Sequence, residues 1–503
     1  MRTILILLLI PFLSFSQVKL KGYELTDSTQ TNIQLKDINA TKVLKGFVFG
    51  DGSLEQPPDE GGTCSDGIQN GDETGVDCGG SCPPCVEIPS CTNGGAGSIV
   101  PTTAADFTNA AYNNYTFTIN NNIDLTGVSI TATTIKIVPG TGILSGTGIT
   151  LNDACIEDAY TQVFSSSVTF TSPYSNSQLS PEAFGADGTD IVSDDAAISA
   201  LINNVEYAIG NTPSVYVKNL ESTYTRAGLF NWDMNGSIVR TTSAQNLSHG
   251  GETSNQERYL FIFNGVDDIR IYNGEFDGQD LASRLFLVER HERHLFQGLY
   301  VHNYFAPAGA YARGVAFLFK LFPQSSNFLG GDFLENNIES IGAASDGNAN
   351  NAPFGVAKGV WIEHQETAIT PIQMRFSDNT YNNIYGDDAE GFYNAPGYLD
   401  SYNYTTDQIT TSLTRETFIG CQRRAMKIVA SNTSVTNSSI TSVSTAPSFA
   451  GQQANIVEMF SIRSSGNIRN VTFTGNTVNI IGNAQNFVFG MRDIEDSNIS
   501  NNS

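Results

Sequence analysis

Beyond about residue 205 the chain alternates apolar and polar positions in short runs, and one pattern keeps returning. An apolar residue is followed two positions later by Asn, Asp or Gly, then by a second apolar residue and a second turn-forming one. It reads IYNGEFDG from Ile271, FQGLYVHN from Phe296, LGGDFLEN from Leu329 and FSDNTYNN from Phe376. It returns as VTNSSITS from Val435, IRNVTFTG from Ile468 and IEDSNISN from Ile494. Alternation with a period of two is the signature of strands with one buried face. Further strand-like runs precede several of these repeats: GVAFLFK, GVWIEHQ, AMKIVAS, EMFSIRS and FVFGMRD. The shortest spacings match one coil of a β-solenoid, and the longer ones imply inserted loops. Propeller blades would recur at regular length, and these repeats do not. The expected fold is all-β, a single-stranded parallel β-helix. Asn273, Gly298, Gly331, Asp378, Asn437, Asn470 and Asp496 should form one longitudinal row, with asparagines laddering between rungs.

One stretch breaks the strand pattern. Within PEAFGADGTDIVSDDAAISALINNV, Ile198, Leu201, Ile202 and Val205 fall at i, i+3, i+4 and i+7, an apolar helical stripe. Ser193 or Asp194 suits the N-cap, and Asp195 suits the first turn. The helix should close the N-terminal end of the solenoid. FGADGTDIVSDDAAISALI also resembles the opening motif of the pectate-lyase superfamily. That resemblance implies a right-handed, pectin-lyase-like β-helix from residue 180 to residue 503. The superfamily includes polysaccharide lyases and hydrolases, epimerases and phage tailspikes.

Upstream the organisation changes. Residues 1–16 read as a signal peptide: Arg2 precedes an apolar run too short to span a bilayer, with Ser14 and Ser16 at its end. Secretion to the medium or cell surface follows as an expectation, with no membrane span. Residues 17–51 read as a short β segment and 52–63 as a linker. Residues 64–85, CSDGIQNGDETGVDCGGSCPPC, form a small module. In an oxidising destination Cys64, Cys78, Cys82 and Cys85 are expected as two disulfides rather than a zinc site. Calcium is the metal that Asp66, Asn70, Asp72, Glu73 and Asp77 would suit, although turns alone also account for them. Residues 86–97 read as a second linker and 98–179 as a β-rich lead-in. Cys91 is left odd, with Cys155 and Cys421 expected as buried thiols.

Charge narrows the partners. The chain carries 26 basic and 51 acidic residues, net −25, so a nucleic acid would be repelled over most of its surface. With 40% apolar and 10% aromatic residues there is ample material for a core. A solenoid offers a long shallow groove, which suits an extended polysaccharide. The final repeat stops in mid-rung, so a continuing chain or another subunit would cover it. The state expected is a monomer, or a homotrimer if the protein is tailspike-like.

The densest mixed-charge group joins Glu363 and His364, then Asp387, Asp388 and Glu390, then Arg423, Arg424 and Lys427. YGDDAEG resembles the paired-aspartate motif of the polygalacturonases, and RRAMK resembles their downstream Arg-x-Lys. That likeness implies acid and base carboxylates at Asp387 and Asp388, with Arg424 and Lys427 gripping a sugar acid. On a strand Asp388 and Glu390 would share a face. Inverting hydrolysis needs carboxyls roughly 6.5–9.5 Å apart, whereas elimination needs a base beside a neutralised uronate. Glu363, His364 and Arg423 complete the set as substrate-binding residues. Elsewhere, His291 and His294 read as surface or groove residues rather than zinc ligands, FDGQD as a rung turn, and Trp232 and Trp361 as core.

Overall fold

A computed structural model describes residues 91–244, 259–307, 313–344 except 324, 355–396 except 367 and 369, 408–444, 455–460, 468–482 and 487–503. Contacts divide the chain into Met1–Cys85 and Val86–Ser503. All described residues belong to the second unit. The signal peptide, the β segment, the first linker, the cysteine module and its calcium ligands therefore lie outside the described residues.

The lead-in is already a solenoid. Gly97–Ile99, Tyr115–Ile119, Lys136–Pro139 and Cys155–Ile156 pair in parallel, and Ile123–Asp124 pairs in parallel with Leu144–Ser145. Side chains bond one rung to the next at a separation of 21 residues, as in Ile143 N–H to Asn122 and Gly148 N–H to Thr169. Apolar residues stack between coils: Phe117, Ile137 and Ile156 in one column, Ile123, Leu144 and Phe164 in another. Cys91 and Cys155 form a disulfide, which corrects the expectation of an odd cysteine and a buried thiol. The bond ties Cys91 to the Cys155–Ile156 strand. Cys421 is buried as expected, its thiol directed at the Tyr381 carbonyl.

The helix forms over Asp195–Asn204 with Asp194 at the N-cap, and Ile198, Leu201, Ile202 and Val205 are wholly buried. The cap carboxylate does not serve the first-turn amides. Asp194 accepts from the Asp187 and Val217 amides instead, at 3.0 and 2.9 Å, tying the glycine-rich loop to the first rung of the main stack. Asp195 holds the buried Lys218 ammonium at 3.0 Å. The helix closes the N-terminal end of the main stack, but the solenoid continues beyond it. Asn204 bonds to Phe170 N–H and Val168 C=O in the lead-in.

From Tyr207 each coil contributes one strand to each of three parallel sheets, of ten, nine and nine strands. The first runs from Tyr207–Ile209 to Asn498–Ser500, the second from Val215–Val217 to Thr477–Gly482, the third from Ser222–Tyr224 to Phe487–Arg492. This is a right-handed parallel β-helix. Its interior is filled by columns of like residues. Phe286, Phe317, Val360, Phe392, Met426 and Val457 stack in register along sheet three, with Phe261–Phe286 and Phe286–Phe317 centroids 5.2 and 5.0 Å apart. Each such aromatic contact contributes about 0.5–1.5 kcal/mol beyond its buried area.

The turn from sheet one to sheet two is the most regular feature. Asn273, Gly298, Glu335, Asp378, Arg415, Asn437, Gly475 and Asn501 all take a left-handed conformation there, with φ between 54 and 69°. Asn273, Gly298, Asp378 and Asn437 therefore share the expected row. Gly331 does not: it pairs with His294 inside sheet one. Asn470 and Asp496 precede sheet one, where Ile468 pairs with Ile494. Gly331 passes for the mark in the sequence because Glu335 holds a position where Asn or Gly is favoured; in the last two rungs the marks are Gly475 and Asn501, five residues beyond Asn470 and Asp496. One residue later runs a ladder of side chains. Asn336, Asn379, Glu416, Ser438, Asn476 and Asn502 each accept the backbone amide one rung earlier.

Candidate functional site

On the outer face of sheet three, strand register brings together residues distant in sequence. Lys358 pairs with Glu390 and Glu390 with Arg424, while Trp361, Tyr393, Lys427 and Glu458 pair along a second row. Gly391 lies between inward Phe392 and outward Glu390. A Cβ there would sit 2.7 Å from the Phe418 ring, so the close crossing needs glycine.

The charges interlock. Arg424 Nη1 reaches Asp388 Oδ1 at 2.8 Å and Glu390 Oε1 at 2.7 Å, confirming the shared face of the two carboxylates. Arg423 reaches Asp388 Oδ1 at 2.9 Å, and Lys358 reaches Asp388 Oδ2 at 3.3 Å. Lys358 also contacts Glu390, and Arg424 contacts Glu458 through Nε. Lys358 and Lys427 both lie over the Tyr393 ring, 5.1 and 4.8 Å from its centroid. Trp361 stands 5.8 Å from Tyr393, with Arg313 over its own ring at 6.0 Å.

Burial sets the protonation states. Desolvation works against the charged form of Asp388, but Lys358, Arg424, Lys427 and Arg423 together outweigh it and hold the carboxyl well below its usual range. Desolvation, reinforced by Lys427 and Arg424, brings the Lys358 amine down to about 7 against the opposing pull of Asp388. Burial also lowers Lys427. The Asp388 and Glu390 oxygens that share Arg424 Nη1 lie no farther apart than the sum of those two contacts, 5.5 Å. That is closer than the spacing that admits an inverting water.

Not every expected residue joins. Asp387 contributes its carbonyl to Arg423, while its buried Oδ2 has no hydrogen-bond partner. Glu363 and His364 lie on the Lys358 strand but five and six residues farther along, roughly 16–20 Å at strand rise. There Glu363 accepts from Gln365, and His364 bonds to the buried Asn394. The sequence reading missed Lys358, Tyr393 and Glu458. The signal was available for Lys358, a lone cation amid the apolar residues of VAKGVWI. Trp361 belongs to this outer face, whereas Trp232 is core. His291 and His294 are neither surface nor groove residues. They are fully buried, bonded to each other at 2.7 Å and boxed by Phe319 and Phe328.

No protein-family model matches the chain, and no curated protein matches it. Among solved structures it is similar to Geobacillus virus E2 ORF18, with 11% identity and a TM-score of 0.24, over 64% of this chain and 60% of that one. A likeness at that score carries no argument, and the chain spans under two thirds of that structure.

Proposed function

We propose that this is an exported carbohydrate-active protein of the pectate-lyase superfamily that binds an acidic polysaccharide along sheet three and cleaves it. The observation that carries the reading is the placement of Lys358 on one rung and of Arg424 and Lys427 together two rungs on, beside Trp361 and Tyr393. Cations repeated along a strand-stacking axis suit the carboxylates of a uronate chain, and flat aromatic rings suit sugar faces. Asp388 and Glu390 act as counter-ions that hold the cations in place. Elimination fits this arrangement better than hydrolysis. In that step Arg423, Arg424 and Lys427 neutralise the substrate carboxylate, the Lys358 amine takes the C5 proton, the electron pair left on C5 forms the C4–C5 double bond as the C4–O4 bond breaks, and O4 takes a proton from water.

A second reading is a glycan-binding protein without turnover, including a tailspike-like adhesin. Glu390 has no exposed surface and Lys358 almost none, and this enclosure is the observation behind the second reading. Purified protein incubated with a panel of uronate polysaccharides separates the two. Rising absorbance at 235 nm marks unsaturated ends and elimination, reducing sugar without that absorbance marks hydrolysis, and retention on the polymer with neither marks binding alone. No retention and no cleavage on any acidic polymer rejects both.

A further inference from the structure

The outer face of sheet two carries a second constellation. Glu275 and Asp277 lie two residues apart on one strand, and His302 pairs with Asp277 on the next rung. His302 Nε2 is 3.0 Å from Glu275 Oε1, and its Nδ1 is 3.6 Å from Asp277 Oδ1. One donor atom from each of the three residues falls within 4.8 Å of the others. We propose that Glu275, Asp277 and His302 bind a divalent transition-metal ion of the zinc or manganese class.

Three features carry the assignment. His302 Nε2 and Glu275 Oε1 share a hydrogen bond at 3.0 Å, close to the separation of neighbouring ligands on an ion about 2.0–2.2 Å from each, so the ion would take the place of that proton. The surrounding shell is already ordered: Asp277 receives Arg240 Nε, the Gln279 amide and Asn303 Nδ2 at 3.1 Å each, and the His302 ring stacks on Tyr300 at 4.1 Å. The charge is unbalanced as well. Asp190, Glu275, Asp277 and Glu339 line these rungs; among the described residues Arg240 reaches Asp190 at 2.7 Å and Asp277 at 3.1 Å, while Glu339, paired with His302 on the next rung, accepts from Tyr300 at 2.8 Å. Imidazole with two carboxylates selects a transition metal over calcium. Glu275 remains partly exposed, so water and a ligand from solvent have access to the ion.

The test uses the full chain, stripped with chelator and titrated with zinc, manganese and calcium by calorimetry and thermal melting. Because the cysteine module is present throughout, the readout is the difference between wild type and variants. The wild type should bind one more equivalent of zinc or manganese than His302→Gln, and Glu275→Gln should weaken that site roughly 100-fold or more, since even outer-shell changes cost 10–100-fold. Both metal-free variants should melt close to the metal-free wild type, which separates lost binding from misfolding; Asp277→Asn is the substitute for a variant that does not. Equal stoichiometry and affinity in the wild type and the folded variants would overturn the proposal, as would a site that takes calcium alone.

Discussion

Glu416 sits inside the buried asparagine ladder, accepting from Asn379 at 3.1 and 3.2 Å. Burial pushes its carboxyl up to about 8 against the lowering effect of those bonds. A carboxyl raised in the fold is protonated there but ionised in the unfolded chain between about pH 4.5 and 8. Stability is therefore lost as pH rises across that window, at about 1.4 kcal/mol per unit. Glu416→Gln should remove this slope, so its advantage in denaturant midpoint should grow from pH 5 to pH 8; a constant difference would contradict it. His291 and His294 act in the opposite direction. Burial holds His291 down to about 3 and His294 well below its ordinary value, with His291 adding to the effect on His294. Both stay neutral in the fold while the unfolded chain gains protons below about pH 6.5. Wild-type stability should then fall as pH drops from 6.5 toward 3, and the His291→Leu/His294→Phe double variant should show a flatter acid limb in the same titration.

At the scale of elements, the ladder and the disulfide make separate claims. Asn379 accepts from the Asn336 amide and donates to Phe333 C=O, both fully buried. Asn379→Ala leaves several such groups unmet and should cost about 2–4 kcal/mol in urea unfolding. Cys155→Ser should cost about 2–4 kcal/mol, and non-reducing peptide mapping should recover Cys91 joined to Cys155. The strands, their coil length and the helix stripe were legible because period-two and helical patterns survive in IYNGEFDG and AISALI. The row of turn marks was legible in part. Left-handed turns accept Glu335 and Arg415 where the stack enforces them, so at those rungs local propensity left no trace. The lead-in reads as unrelated strands because its strands are only two to five residues long, too short for a repeat at coil length to stand out. The pairing of Cys91 with Cys155 depends on which rungs stack, which spacing alone does not disclose.

For the whole molecule, Asp388, Glu390, Arg423, Arg424 and Lys427 were recognisable as one group because each additional coil returns the chain to the same face. Lys358 escaped because its partners arrive from the next rung. Glu363 and His364 stand five and six residues farther along its strand, and nearness in sequence is not nearness along a strand. The central claim is that this face holds an anionic glycan. It is tested most directly by calorimetric binding of a uronate oligosaccharide to the wild type, Lys427→Ala and Tyr393→Ala, with melting curves alongside. Saturable binding that weakens about tenfold or more in each variant, and weakens with added salt while the melting temperatures stay close, is the result expected. Wild-type affinity in both folded variants would contradict the account.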